Sequence, residues 1–424
     1  MIVVTDGDAL AQEPSDERPP PVPLVEPRDG VPEPLTSADD LRGAVSRLAA
    51  GRGPVAVDAE RASGYRYGQR AYLVQLRRDG AGTVLVDPIT LPDLSGLGAA
   101  IGDVEWVLHA ASQDLPCLAE IGMRPQRLFD TELAGRLLGY PKVGLGSIVE
   151  EVLGLSLEKG HSAADWSTRP LPEPWLRYAA LDVEVLVELR DVLAAQLDEQ
   201  GKRAWAEQEF AAIAAATSPP PRVDPWRRTS GMHRVRNRRQ LAVVRALWEA
   251  RDSTAQRRDI SPGRILPDAA IVDAALTQPG SEDELRRLKV WGGRSMRRQT
   301  STWFAAVRGA LELPEDELPP LKATHDGPPP ARSWAERDPA AAGRLSAARA
   351  AVAAIADEHG LPTENLLAPD AIRRLSWTPP EQLDSDIVAA ALRDLGARDW
   401  QVELTATALA RALDRVAVRA GAAD

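Results

Sequence analysis

The 424-residue sequence predicts a multidomain α/β plus all-α protein, in which a mixed sheet flanked by helices is followed by two helical modules. Three observations carry this. Strand patterns come first (PVAVDAE, AYLVQLRR, TVLVD) and then alternate with helical ones, as expected of a mixed sheet covered by helices. Two Pro-rich stretches, TSPPPRVDPW near 217–226 and LPEDELPPLKATHDGPPPARSW near 313–334, break the chain into bodies. Beyond the first break, Ala/Leu/Val runs recur at helical spacing with few strand signals.

Taken in order, residues 1–35 read as a disordered tail, too rich in Pro, Asp and Glu to bury a core. An α/β body follows over 36–215. Its strands are separated by turns holding Gly64, Gly68, Gly80 and Gly82. EWVLHA then reads as a strand, SQDLPCLAEIG as a short helix, RLFD as a strand and TELAGRLLG as a helix. LGSIVEEVLG and an uninterrupted amphipathic helix from Pro174 to Gln200 complete the body. A linker over 216–231 leads to a helical body over 232–312, and a second linker over 313–333 to another over 334–421. DISPGRILPDAAI and GLPTENLLAPDAI superpose at a shift of 101, setting Ile260, Ile265, Leu266 and Ile271 over Leu361, Leu366, Leu367 and Ile372. A duplicated helical module is the economical reading.

Composition narrows the class. The single cysteine, Cys117, excludes a disulfide scaffold and a Cys zinc site and suits a reducing compartment. No apolar run is long enough for a membrane span, and MIVVTDGDALAQ lacks a secretory signal pattern. A cytoplasmic protein is expected, with no membrane partner and no need for more than a monomer. The net charge of −11 hides a segment from Arg222 to Arg298 with 18 basic and 9 acidic residues, a local net of +9. Such a stripe suits nucleic-acid phosphates, the bland alternative being a solvated helical surface.

The chemistry concentrates in VAVDAERASG, residues 55–64, where an apolar strand ends in Asp58 and Glu60 on one face. Paired carboxylates beside a core need a cation or a proton between them. Asp114, in VLHAASQDLPCL, stands where the chain leaves a later strand. In WLRYAALDVEVLVEL, Tyr178 and Asp182 share a helix face at four-residue spacing. Mg²⁺ and Mn²⁺ prefer oxygen ligands, and two ions about 4 Å apart sharing one carboxylate can clamp an in-line phosphoryl displacement. A tyrosine one turn before the last acid can orient the attacking water and take its proton. His161, four residues before Asp165, is the alternative base. Pro170 and Pro172 follow closely, so the segment reads as a loop in which His161 contacts a substrate phosphate or caps a turn. Taken singly, each of these residues has an ordinary structural reading as a turn acid, helix-terminal acid or core aromatic.

Together, strand-DxE, strand-turn-D and helix-YxxxD resemble the tyrosine-bearing branch of the DEDD exonuclease superfamily. VAVDAE, VLHAASQDL, FDTELAGRLLG, LGSIVEEVLGLSLEKGHSAADWSTRPL and YAALDVEVL are similar to the ribonuclease D family, from Leu41 to Phe210. The resemblance implies a ribonuclease-H-like fold and hydrolysis of RNA from its 3′ end to 5′-mononucleotides, in tRNA maturation or other RNA processing. It implies Asp58, Glu60, Asp114 and Asp182 as ligands of two divalent ions (Mg²⁺ or Mn²⁺) and Tyr178 as the residue positioning water, with Asp130 and His161 as supporting residues; Gln113, beside Asp114, is with His161 a candidate substrate contact. The family has a bulky aromatic after the second acid, whereas here RASGYRYGQR follows. Arg61, Tyr65, Arg66 and Tyr67 then offer guanidinium and aromatic faces for terminal nucleotides.

RNRRQLAVVRALWEARDSTAQRRDISPGRILPDAAIVDAA resembles an HRDC module, and the second helical body a divergent, more acidic copy that packs on the others. Arg236, Arg238, Arg239, Arg257, Arg258, Arg297 and Arg298 are the candidate phosphate contacts. Two other readings keep the same fold: a silent RNA-binding protein, disfavoured by the complete set of acids and tyrosine, and a 3′–5′ DNA exonuclease.

Overall fold

Five strands form the main sheet: β1 (Arg52–Arg61), β2 (Ala71–Asp79), β3 (Gly82–Val86), β4 (Glu105–Leu108) and β5 (Arg127–Asp130), in the order β3-β2-β1-β4-β5. The protein is described by a computed structural model over residues 19–158, 160–217, 222–322 and 327–421. β2 runs antiparallel to β1 and β3, and β4 and β5 run parallel to β1. This is the mixed sheet expected. Val55, Ala56 and Val57 are all fully buried, because helices cover both faces of β1. The tight β2–β3 connection uses left-handed Gly80 and Gly82 (φ 79° and 74°), a backbone that glycine adopts without a Cβ penalty. Since β1, β4 and β5 are parallel, their C-terminal ends open on one edge of the sheet, and that edge carries the site.

The helix expected from Pro174 to Gln200 is interrupted. It runs Glu173–Glu184 and resumes at Leu186–Glu199, with Val185 (φ −103°, ψ −6°) between. Tyr178 and Asp182 both precede the break, so their four-residue relation holds.

The tail expected over 1–35 is corrected for residues 19–35; 1–18 lie outside the described residues. Val22–Leu24 pairs in parallel with a short strand, Leu155–Leu157. Leu35 donates to the Leu85 carbonyl (2.8 Å) and accepts from the Asp87 amide (3.0 Å). A few backbone bonds and the Arg28–Glu188 pair (3.0 Å) suffice to order an extended Pro-rich edge that needs no core of its own.

The duplication inferred from sequence is structural. Helices Arg238–Arg258, Pro262–Ile265 and Asp268–Thr277 recur as Pro339–His359, Thr363–Leu366 and Pro369–Trp377, each starting 101 residues later. Ile265, Leu266, Ile271 and their counterparts Leu366, Leu367 and Ile372 are buried. The expected linkers are partly used by the modules. Trp226 and Leu318 are buried in the first module's core, and Trp334 is buried in the second. Each supplies an apolar anchor beside its prolines. The first module has a separate core, whereas that of the second is continuous with the α/β body. There Trp205 and Trp400 stack at 5.0 Å, and the Trp400 indole donates to Glu209 (3.0 Å). Among the described residues no helix is long and apolar enough to cross a membrane.

Candidate active site

At the open edge of the sheet a cavity of about 450 Å³ is lined by Asp58, Glu60, Asp114, Tyr178 and Asp182, together with Arg61, His109 and Gln113. Strand alternation puts Asp58 and Glu60 on one face of β1, and the Glu173–Glu184 helix crossing that face delivers Tyr178 and Asp182. One oxygen from each of Asp58, Glu60 and Asp182 lies within 4.8 Å of the others. Three carboxylates this close are a hard-oxygen donor set of the kind divalent cations take.

Asp114 reaches the group from β4. It follows a 3₁₀ turn, Ala111–Gln113, and stands at the N-terminus of the helix Leu115–Glu120 without a side-chain capping bond. Its carboxyl is therefore free for the cavity, where it is hydrogen-bonded to Asp58 and paired with Arg61 at 3.3 Å. The turn is held by Asp130, at the end of β5. The Asp130 carboxylate accepts from the Ala110, Ala111, Glu132 and Leu133 amides at 3.0, 2.8, 3.0 and 3.2 Å. It thereby caps the next helix and fixes Ala110 in a left-handed conformation (φ 57°) that a non-glycine residue adopts at a cost. Asp130 is the support for Asp114.

The electrostatics reflect crowding. Burial pushes the Asp58 carboxyl up to about 6 and Asp114, also facing Asp58, up to about 8. Both are raised, and the hydrogen bond between them requires that one of the two carry a proton. Burial and the neighbouring acids hold Glu60 and Asp182 well above the carboxylate range. Arg61 opposes this at Asp58, Glu60 and Asp114. Without further positive charge the four acids cannot all ionise, which is the condition a divalent cation relieves.

Tyr178 donates to Asp182, and burial followed by the charge of Asp182 raises its phenol far above the usual value. Without a bound cation the hydroxyl is a donor to Asp182. His161 does not line the cavity; its ring meets Tyr178 edge-on at 5.8 Å and Trp175 at 6.0 Å. It packs behind the tyrosine. Lys159, in the same motif, lies outside the described residues. His109, not singled out by sequence, is pushed down to about 4 by burial and is neutral. The Thr131 hydroxyl donates to the Leu108 carbonyl (3.2 Å), so at 2.9 Å it accepts from His109 Nδ1–H, leaving Nε2 unprotonated.

The segment after Glu60 is used differently from the expectation. The Tyr65 ring lies 4.1 Å beneath the Arg264 guanidinium, and its carbonyl accepts from the Ser261 amide (2.9 Å). Arg66 donates to Ser167 (2.8 Å), and Tyr67 packs against the first module's core. Tyr65 and Tyr67 join the catalytic body to the helical module, while Arg66 is held within the catalytic body, a correction to their assignment to nucleotides. Arg61 alone of the four lines the cavity. Of the basic candidates, Arg238 donates to the Leu318 carbonyl (2.6 Å), and Arg239 to the Leu313 carbonyl and Glu315. Both brace the end of the first module. Arg257 donates to Ser253 (2.6 Å), while Arg236, Arg258, Arg297 and Arg298 are exposed.

Comparison with known proteins agrees with this architecture. Residues 32–198 match the family model for a 3′–5′ exonuclease, 240–307 that for the HRDC domain, and 327–413 that for a 3′ to 5′ exonuclease C-terminal domain. Ribonuclease D of Gluconacetobacter diazotrophicus is 32% identical over 365 residues, covering 84% of this chain and 89% of that protein. Ribonuclease D of Escherichia coli is 32% identical over 299 residues, covering 67% and 76%. Among solved structures, a protein from Bifidobacterium adolescentis superposes with a TM-score of 0.85 at 40% identity over 93% of this chain and all of its own. Escherichia coli RNase D, described as an exoribonuclease involved in structured RNA processing, superposes at 0.63 with 28% identity over 86% and 98%.

Proposed function

The chain belongs to the ribonuclease D family and is a metal-dependent 3′–5′ exoribonuclease, and from that premise we propose that its reaction takes place in the cavity between β1 and the Glu173–Glu184 helix. Asp58, Glu60, Asp114 and Asp182 hold two divalent cations, Mg²⁺ or Mn²⁺. When bound, these ions supply activation of water and neutralisation of charge at the phosphate. Asp58 belongs to the Glu60–Asp182 trio and is also hydrogen-bonded to Asp114, so it links all the acids that would hold the ions. The Tyr178 hydroxyl aims the attacking water. Arg61 and Gln113, on the Asp114 side, suit the phosphate of the terminal nucleotide. Water adds across the terminal phosphodiester, leaving phosphate on the released 5′-mononucleotide and a 3′-hydroxyl on the shortened RNA.

The substrates are structured RNAs with free 3′ ends, tRNA precursors above all, gripped through phosphates by exposed arginines of the first helical module. One observation carries this reading: acids from β1, the turn after β4 and a distant helix, with a tyrosine donor, converge on one cavity. The test is to incubate the protein with Mg²⁺ or Mn²⁺, a 5′-labelled 3′-extended hairpin RNA and a matched single-stranded DNA, alongside Asp58→Ala and Asp182→Ala. Stepwise shortening of RNA by wild type alone is expected. Equal activity in the variants would overturn the site, preference for DNA would overturn the substrate, and inactivity with either cation would favour a silent binder.

A further inference from the structure

Both helical modules meet the catalytic body at the same corner of their fold, where the long first helix ends. In the second module the corner is His359 and Gly360. His359 rests edge-on against Trp205 at 5.5 Å, and a Cβ on Gly139 would stand 2.7 Å from the Gly360 carbonyl oxygen. In the first module the corner is Asp259. The two backbones agree: each helix closes on a left-handed residue, Asp259 at φ 46° and Gly360 at φ 60°. In each, the next amide, of Ile260 or Leu361, bonds back to Ala255 or Ala356. Glycine takes this conformation freely, and aspartate takes it at a cost.

The carboxylate of Asp259 gains a partner surface in return. Its Oδ1 accepts from the amides of Tyr67 (3.2 Å) and Gly68 (3.4 Å), and its Oδ2 pairs with Arg70 (3.5 Å). Two turns back on the same helix, Asp252 accepts from the Tyr67 hydroxyl at 3.1 Å. At a shift of 101 these acids correspond to Ala353 and Gly360, while the buried Ala255 between them is matched by the buried Ala356. The duplicate folds without the two acids, so what they contribute is docking. The loop they hold leaves β1 at Glu60 and Arg61, and Arg61 pairs with Asp114.

We infer that Asp259 is a positioning residue that latches the first helical module to the loop leaving the catalytic strand, and that this latch sets the preference for structured RNA over short single strands. The inference rests on the exoribonuclease reading above. A module held at a fixed place can grip the duplex part of an RNA while the cavity trims its end, whereas a short strand needs only the cavity.

The experiment compares Asp259→Gly and Asp259→Asn with wild type. Glycine supplies the residue that the duplicate uses, so it removes the latch while easing the backbone. Asparagine tolerates the left-handed conformation and keeps one accepting oxygen, but loses the ion pair. Three readouts are taken: melting temperature, the distance distribution between spin labels on the two bodies, and kcat and KM on a hairpin RNA with a 3′ tail and on a six-nucleotide RNA. Expected for glycine is an unchanged or raised melting temperature, a broadened distance distribution and a tenfold or larger rise in KM for the hairpin. Turnover of the six-nucleotide RNA should stay within twofold, with asparagine intermediate. A hairpin-to-hexamer ratio within twofold of wild type in both variants would overturn the latch, leaving Asp259 as an ordinary cap. Wild type inactive on both RNAs would instead overturn the exoribonuclease reading, and the distance distribution would still decide the docking.

Discussion

The crowding of Asp58, Glu60, Asp114 and Asp182 has a consequence measurable without RNA. Asp114 is raised to about 8 and Asp58 to about 6 from ordinary values near 4, principally by burial. A carboxyl more basic in the folded than the unfolded chain contributes stability that is fully present below its unfolded pKa and lost as pH rises through its folded pKa. Between pH 6 and 7.5 the folded protein thus holds at least one proton within the acid cluster that the unfolded chain has released. At about 1.4 kcal/mol per pH unit per proton, this interval removes about 2 kcal/mol. For a cooperative unit of roughly 200 residues that is a fall in melting temperature of about 4–8 °C. A cation favours the ionised acids, so its binding releases protons, and the stabilisation from a fixed excess of Mg²⁺ should grow over the same interval. Scanning calorimetry of chelator-treated protein at pH 6.0 and 7.5, with and without Mg²⁺, reads both trends, and Asp114→Asn should flatten the first. A melting temperature of the metal-free protein that stays level or rises with pH, or an Asp114→Asn variant with the wild-type slope, would refute the reasoning.

Tyr178→Phe keeps the ring packing against His161 and Trp166 and removes only the hydroxyl; kcat should fall by about 10²-fold, with cation affinity from calorimetric titration changing far less. Asp130→Ala leaves the amides that Asp130 caps without an acceptor. Urea denaturation should show a loss of about 2–4 kcal/mol, and cation affinity should weaken because Asp114 is no longer held. Replacing exposed Arg258, Arg297 and Arg298 together by Gln should reduce the slope of log Kd for hairpin RNA against log salt by about 2, with little change in turnover of a hexamer. An unchanged slope would place the phosphate contacts elsewhere.

What could be read from the sequence follows from the range of each interaction. Asp58 with Glu60 and Tyr178 with Asp182 are related by local periods of two and four residues, and such periods survive in any context. Asp114 is harder. An acid at the start of a short helix ordinarily caps it, and only the absence of that bond shows that its carboxylate is free. The reason lies in Asp130, whose four accepted amides place the turn from across the sheet; its position before TEL, at a strand-to-helix junction, was the available signal. The roles of Tyr65 and Tyr67 escape a local reading for the same reason. Aromatic and guanidinium faces beside a catalytic strand suit nucleotides, but their partners, Arg264 and Asp252, stand nearly 200 residues away, and no local pattern reports them.

The two helical copies also show that a shared fold does not impose a shared way of attaching. The second module joins the catalytic body through a continuous apolar core, with a tryptophan stack at its centre. Such contacts are non-directional and scale with buried area, so they hold as one piece. The first has its own core, and the contacts that Asp259 and Asp252 make at its corner are carboxylate to amide, carboxylate to guanidinium and carboxylate to phenol. Directional contacts of this kind fix an orientation closely while water competes for each of them. On the proposed reading, in which the basic module grips RNA phosphates at a set distance from the carboxylate cavity, it gains from that choice of chemistry. The acidic copy, fused by its core to the body behind it, is suited to bracing.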